Sequence, residues 1–235
     1  MRIIFLMLFC SAASFLDASE LPAHIALSYT MQSGAISATV EETLDLKTTQ
    51  GVRHYTLHSE ARASGLAALL KNGSIKRAST GILTEQGLRP VRFSDQRGDK
   101  VPAVALFDWD KKSLTLQHEG QESKKDLPAQ TQDRLSFLYS LVFCPPVGDT
   151  LEVHETDGRG LSLFRYTVGK ETLATPLGKL DTVVLTKVQD KGDLRGRKIW
   201  LATAHHHLPV RLVVTEKDGS QIEQMINKIT YPTKP

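Results

Sequence analysis

The 235 residues carry 29 lysines and arginines against 26 aspartates and glutamates, a formal net charge of +3, and 40% of them are apolar. That length and composition suffice for one large domain with a sizeable core, without a structural metal or a disulfide framework. The cations are scattered, with no run longer than Lys111-Lys112 or Lys124-Lys125, so the massed positive surface that neutralises nucleic-acid phosphates is not expected.

The chain opens with Arg2 followed by an apolar or small run from Ile3 to Leu16, ended by Asp17. A bilayer span needs roughly 20 apolar residues, so this shorter run fits the core of a cleavable secretion signal, with Ala18-Ser19 offering small residues to a peptidase. Residues 1–19 are read as signal peptide and 20–235 as a single β-rich domain delivered to the periplasm. Cys10 lies within the signal and follows Phe9, a poor neighbour for a lipidated cysteine. Cys144 is then the single cysteine of the mature chain, which excludes an internal disulfide. No later stretch is long or apolar enough to cross a membrane, so the mature chain is expected to be soluble.

From Leu21 onward the pattern alternates with a period of two, as on a strand with one buried face. Ile36, Ala38, Val40, Leu44 and Leu46 alternate with polar residues, and Glu42 is the one break in that apolar face. Ser64 to Leu70 interrupts the rhythm as a short apolar segment of one or two helical turns ending near Asn72-Gly73. Asp110-Lys111-Lys112 turns Ala103-to-Trp109 into Ser113-to-His118. Lys124 to Gln132, polar with Pro128 inside it, reads as a linker-like excursion that carries the chain onto the face of a sheet.

A helix is predicted over Arg134 to Phe143. Asp133 supplies its N-cap, Leu135, Leu138, Leu141 and Val142 form an apolar stripe, and Cys144-Pro145-Pro146 stops it. Asp157-Gly158-Arg159-Gly160 then separates the strands Thr150-to-Glu155 and Leu161-to-Val168. Asp218-Gly219 is a strong two-residue hairpin signal between Leu208-to-Glu216 and Gln221-to-Tyr231. Roughly a dozen strands at intervals of about 10 to 15 residues give a mostly β fold. The expected architecture is one large, strongly curved antiparallel sheet or incomplete barrel, a sandwich being the alternative, with one helix packed on it.

Several segments carry a family resemblance. QDRLSFLYSL (Gln132 to Leu141), LATPLGKLDTVVLTKV (Leu173 to Val188) and KIWLATAHHHLPVRLVVTEKDGSQIEQMI (Lys198 to Ile226) resemble the bacterial domain of unknown function 3108. ARASGLAALL (Ala61 to Leu70) and GLRPVRF (Gly87 to Phe93) resemble its first half. The likeness covers nearly all of the mature chain. It departs at Ala204-His205-His206-His207, where relatives commonly carry an acidic residue. The resemblance implies an exported β-rich protein and no established activity. The layout is also similar to envelope lipid and lipoprotein carriers, whose incomplete barrel holds an acyl chain under a helical lid, an analogy of fold alone.

No constellation names a chemistry. His205 and His207 would share a face on a strand, as would His54 and His58, but a metal site needs three or four convergent donors. Pro209 makes a polar turn the simpler reading, so no metal or cofactor is expected. Cys144, between Phe143 and two prolines, lacks a neighbouring base and reads as a small core residue. Ser136 has no elbow glycines, Glu41 and Glu42 point to opposite faces, and Asp133 reads as a cap.

What remains is apolar surface. Leu66, Leu69, Leu70, Trp109, Leu138, Leu141 and Trp200 either fill one core or line a groove for a lipid or acyl chain between sheet and helix. The leading expectation is therefore a non-catalytic periplasmic protein binding a lipid-like ligand. A structural or assembly factor contacting an envelope protein through a sheet edge is the alternative, and an uncharacterised enzyme comes third.

Overall fold

Alternation becomes strands wherever one face can be buried, and the described residues form a single sheet of fifteen strands. A computed structural model describes residues 21–64 and 74–232. The signal segment with Cys10, and Leu66, Leu69 and Leu70, lie outside the described residues. The first half is a meander of β1 (His24–Ser33), β2 (Ile36–Thr49), β3 (Val52–Ala63), β4 (Ser74–Thr84), β5 (Gly87–Arg97), β6 (Ala103–Asp108), β7 (Ser113–His118) and β8 (Gln121–Asp126). Then come β9 (Gln132–Asp133), α1 (Ser136–Phe143), β10 (Thr150–Thr156), β11 (Leu161–Thr175), β12 (Gly178–Lys187), β13 (Gly196–Ala202), β14 (Leu208–Thr215) and β15 (Gln221–Thr230).

Neighbours in sequence are neighbours in the sheet, with β1 joined to β15 in the middle and β8 and β9 at the two ends. All pairs are antiparallel except β9 with β10. The expected hairpins at Asp110, Asp157 and Asp218 are present. The polar stretch expected as a linker begins instead as β8, an end strand whose six residues are all exposed, so no apolar alternation marks it.

Connectivity forces the sheet to curl. Laid flat, fifteen strands about 4.8 Å apart would set β8 and β9 about 67 Å from one another, yet residues 127–131 alone join them. Six extended peptide steps, from Asp126 to Gln132, reach at most about 22 Å. The two ends must therefore approach one another, and the sheet wraps into an incomplete barrel rather than a sandwich. Among the described residues, backbone ladders do not close it. Instead the Gln132 amide donates to the Leu88 carbonyl at 2.7 Å, Ser79 donates to Asp133 at 2.6 Å, and Arg159 donates to Asp95 at 3.3 Å. At Gly158, with φ of +83°, an added Cβ would come within 3.1 Å of the Ala103 backbone. A glycine is required where that turn abuts the far end of the sheet.

The concave face is built in transverse rows. Ile25, Leu44, Leu57, Ser79, Phe93, Ala105 and Leu116 stand in register across seven strands and are all buried. The adjacent row reads Leu27, Glu42, Ser59, Arg77, Asp95, Ala103, so the break noticed at Glu42 opens a polar belt across the interior.

Into this interior runs α1. The predicted N-cap is present: Asp133 Oδ1 accepts from the amides of Leu135 (2.9 Å) and Ser136 (2.8 Å), and Ser136 Oγ accepts from the Asp133 amide (3.0 Å). Arg134 and Leu135 form the capped turn, and the regular helix begins two residues later than expected. Its burial also differs from a single stripe. Ser136 through Leu141 are buried without interruption, because the sheet surrounds the helix instead of lying under it. Leu138 is 7% exposed and belongs to the continuous core. Leu138→Ala is accordingly expected to lower stability by about 2–5 kcal/mol. Equilibrium urea unfolding checks it, and a near-neutral result would contradict the packing.

Candidate functional site

The inward polar residues fall into three groups, each fixed by strand register or by the helix. The first holds α1 from the side: Glu42, on β2, accepts from Tyr139 of the helix (2.6 Å) and from Ser59 (2.8 Å). Burial raises the Glu42 carboxyl above the usual carboxylate range, against the hydrogen bonds from Tyr139 and Ser59. The second holds the start of the helix. Asp133 is wholly buried, and burial pushes it up to about 6 despite its bonds from Ser79 and the Ser136 and Leu135 amides; Tyr55 extends this chain through Ser79 at 2.9 Å.

The third group is ionic. Asp95, with no side-chain exposure, lies 3.0 Å from Arg77, 3.2 Å from Arg97 and 3.3 Å from Arg159. Burial opposes its ionisation, but the guanidinium groups outweigh that and hold the carboxyl below its ordinary value. Glu155 takes Nη1 of Arg197 on both oxygens, at 2.9 and 2.7 Å, and Tyr166 stands 3.3 Å from the same nitrogen. These groups are closed on one another and serve to lock helix and sheet ends together.

Open space lies elsewhere. One depression of about 510 Å³ is bordered by the β4–β5 turn, Leu88, Arg89, Trp109, and Ala129, Gln130 and Gln132 of the connection between the sheet ends. Trp109 is held by its indole N–H on the Pro90 carbonyl (2.7 Å), by stacking on Phe107, and by the Arg89 guanidinium 4.9 Å from its ring centre. Gln132 is buried, its amide nitrogen bound to Leu88, and its Oε1 has no hydrogen-bond partner among the described residues.

The expected binding residues do not meet in one groove. Trp109 borders that depression. Leu138 and Leu141 belong to the closed core, 7% and 5% exposed. Trp200 borders a different depression of about 440 Å³, flanked by Lys198 at 4.6 Å and Arg211 at 4.5 Å from its ring centre. Leu88, Arg89 and Gln132 escaped notice because their approach to Trp109 depends on the curl. A faint signal was present in Gln132-Asp133-Arg134, three polar residues directly before an apolar helix.

Thr203–His205 is a single 3-10 turn, and His206 and His207 take positive φ of 52° and 58°, so the histidines form a turn between β13 and β14. His205 lies 3.3 Å from the Tyr231 hydroxyl, while His54 and His58 are exposed on β3. Cys144 caps the helix C-terminus, partly exposed rather than in the core, with its thiol 3.5 Å from the Glu85 carbonyl. Among the described residues no helix is long and apolar enough to cross a membrane.

In comparisons with known proteins, no curated protein matches the chain. Among solved structures it is similar to a beta-barrel-like protein of domain of unknown function DUF1849 from Brucella abortus. That likeness is at 10% identity, covers 90% of this chain and 99% of that one, and has a TM-score of 0.52. It is also similar to a DUF1329 family protein from Desulfovibrio piger, at 10% identity over 90% and 87% of the two chains, with a TM-score of 0.29. The first likeness is one of fold, an incomplete barrel. The family described as "Protein of unknown function (DUF3108)" matches residues 28–227. That match runs from Ser28 in β1 to Asn227 in β15 and so reaches every strand of the sheet, and the chain belongs to this family.

Proposed function

We propose that the protein is a non-catalytic, periplasmic binding protein that takes a lipid-like ligand in the depression beside Trp109. The observation that carries the reading is the composition of that depression. It joins apolar surface from Trp109 and Ala129 to a buried, unpaired acceptor at Gln132 Oε1, an arrangement suited to an apolar chain that ends in a hydroxyl or amide. About 510 Å³ lies within the usual range for such sites. The buried carboxylates Glu42 and Asp133 are spent on anchoring the helix, which favours binding over catalysis. Export through the N-terminal signal would place the protein where membrane lipids are its neighbours. Strand addition at β8 is the poorer reading, since Glu122, Lys124, Lys125 and Asp126 charge that edge and charge on an edge strand opposes pairing.

The test is titration with a fluorescent monoacylglycerol, a neutral probe. Saturable binding of micromolar affinity is expected, weakened about tenfold by Trp109→Ala through lost aromatic contact, with the melting temperature kept as a check on folding. Absence of saturable binding, or binding indifferent to Trp109, would refute the assignment.

A further inference from the structure

Charge bookkeeping in the interior leaves one group over. Arg77, Arg97 and Arg159 converge on Asp95, and Arg197 is held by Glu155. Arg134, in the capped turn before α1, is partly buried, yet its guanidinium makes no ion pair or hydrogen bond to another described residue. Arg77 and Arg197 act on it as like charges, and Glu155 and Asp157 oppose them from beyond contact distance. A partly buried cation with no direct partner is only weakly compensated. Nothing in the local structure requires one, because the helix cap is made by Asp133 and the backbone.

Arg134 borders an open cavity of about 590 Å³ bounded by β10 to β14 and the β12–β13 connection. Six cationic side chains border this cavity against four carboxylates. With Lys187 paired to Asp193, Arg165 to Glu152 and Arg197 to Glu155, Arg134, Arg195 and Lys217 remain against Asp190 and Glu216, so the cavity keeps a slight positive balance. Its wall is also apolar in part, with Phe164 and the exposed side chain of Val188. We propose that this cavity binds an amphiphilic oxyanion, the carboxylate or phosphate head of a short apolar chain seated on the Arg134 guanidinium with its tail along Phe164 and Val188. The planar fork of arginine matches two oxygens of either head group, and such charge-assisted pairs are strong when solvent is excluded. This site shares no lining residue with the depression at Trp109.

Calorimetric titration of the mature chain with octyl phosphate, octanoate and inorganic phosphate tests the assignment. Octyl phosphate or octanoate should bind one site, and Arg134→Gln should weaken that binding by about tenfold or more, the loss of a charge-assisted pair. Arg134→Lys should retain part of it, and Lys124→Gln, on β8, should leave it unchanged. Raised salt should weaken it further. Monoacylglycerol binding should be indifferent to Arg134, which separates this site from the one at Trp109. Equal binding by the folded Arg134→Gln protein, or no binding of either amphiphile to the parent, would overturn the proposal. Inorganic phosphate binding as tightly as octyl phosphate would remove the apolar wall from it.

Discussion

Asp95→Ala is expected to lower stability by about 3–5 kcal/mol, because it strips three partly buried guanidinium groups of one shared counter-charge. The side chain has no exposure and lies within 3.3 Å of Arg77, Arg97 and Arg159. Arg77 belongs to β4 and Arg97 to β5, whereas Arg159 comes from the turn between β10 and β11. Removing the carboxylate therefore sets like charges against one another at the point where the sheet ends meet. Lys111→Ala, which breaks a pair 81% and 41% exposed, is the control and should change stability by less than about 1 kcal/mol. Urea unfolding of both variants checks the contrast, and similar values for the two would mean that the seam is held by the backbone and apolar contacts alone. The contribution of Asp95 depends on pH in a defined sense. Its folded value lies below 3.8, so its stabilisation is present at neutral pH and is lost as pH falls through that folded value.

Asp133 should show the opposite dependence. Burial raises it from 3.8 to about 6, so the folded protein holds this proton more tightly than the unfolded chain does. The stabilisation tied to the protonated form is complete below about pH 4 and is lost as pH rises through about 6, a total of about 3 kcal/mol. Glu42, raised in the same direction by burial, adds a slope of the same sign. Asp133→Asn removes the Asp133 part while its carbonyl oxygen still accepts from the Leu135 and Ser136 amides. The difference in unfolding free energy between the parent and Asp133→Asn, followed from pH 4 to 8, should therefore move in favour of the asparagine from about pH 4 and level off above about pH 6. Asp133→Ala leaves both amides and Ser79 without their partner and should cost at least about 2 kcal/mol at any pH in that range. A flat difference profile would show that Asp133 ionises freely in the folded protein.

Local features of the fold were legible because they rest on short-range physics. Alternation in β2, the Asp218-Gly219 turn and the Asp133 cap each follow from residues within a few positions of one another. Even the interior polar belt announced itself, as the single glutamate in the apolar face of β2. A curved sheet was legible from the count of strands against one helix, but which strands stand at its ends was not, because β8 and β9 are too polar or too short to alternate. With the meeting of the ends unread, so was the environment of the helix. Its stripe of Leu135, Leu138 and Leu141 reads equally well on a flat face, and the burial of Ser136 and Ser140 betrays the enclosure only in three dimensions. The depression at Trp109 was missed for the same reason, since Leu88, Trp109 and Gln132 come from three separate parts of the chain.

The pairing of the first strand with the last governs the order of assembly. Ala26 stands opposite Thr230, so the seam in the middle of the sheet joins positions about 200 residues apart, the kind of contact that forms slowly because the entropy of ordering the intervening chain comes first. As the chain emerges from its N-terminus, β1 to β8 can form as successive local hairpins, but one edge of β1 stays open until β15 arrives. In that interval Ile25, Leu27 and Tyr29 belong to a half-built sheet with a bare apolar face and an unpaired edge, the species most prone to aggregate. The nascent protein thus depends on speed of completion, or on a chaperone, in a way the finished one does not.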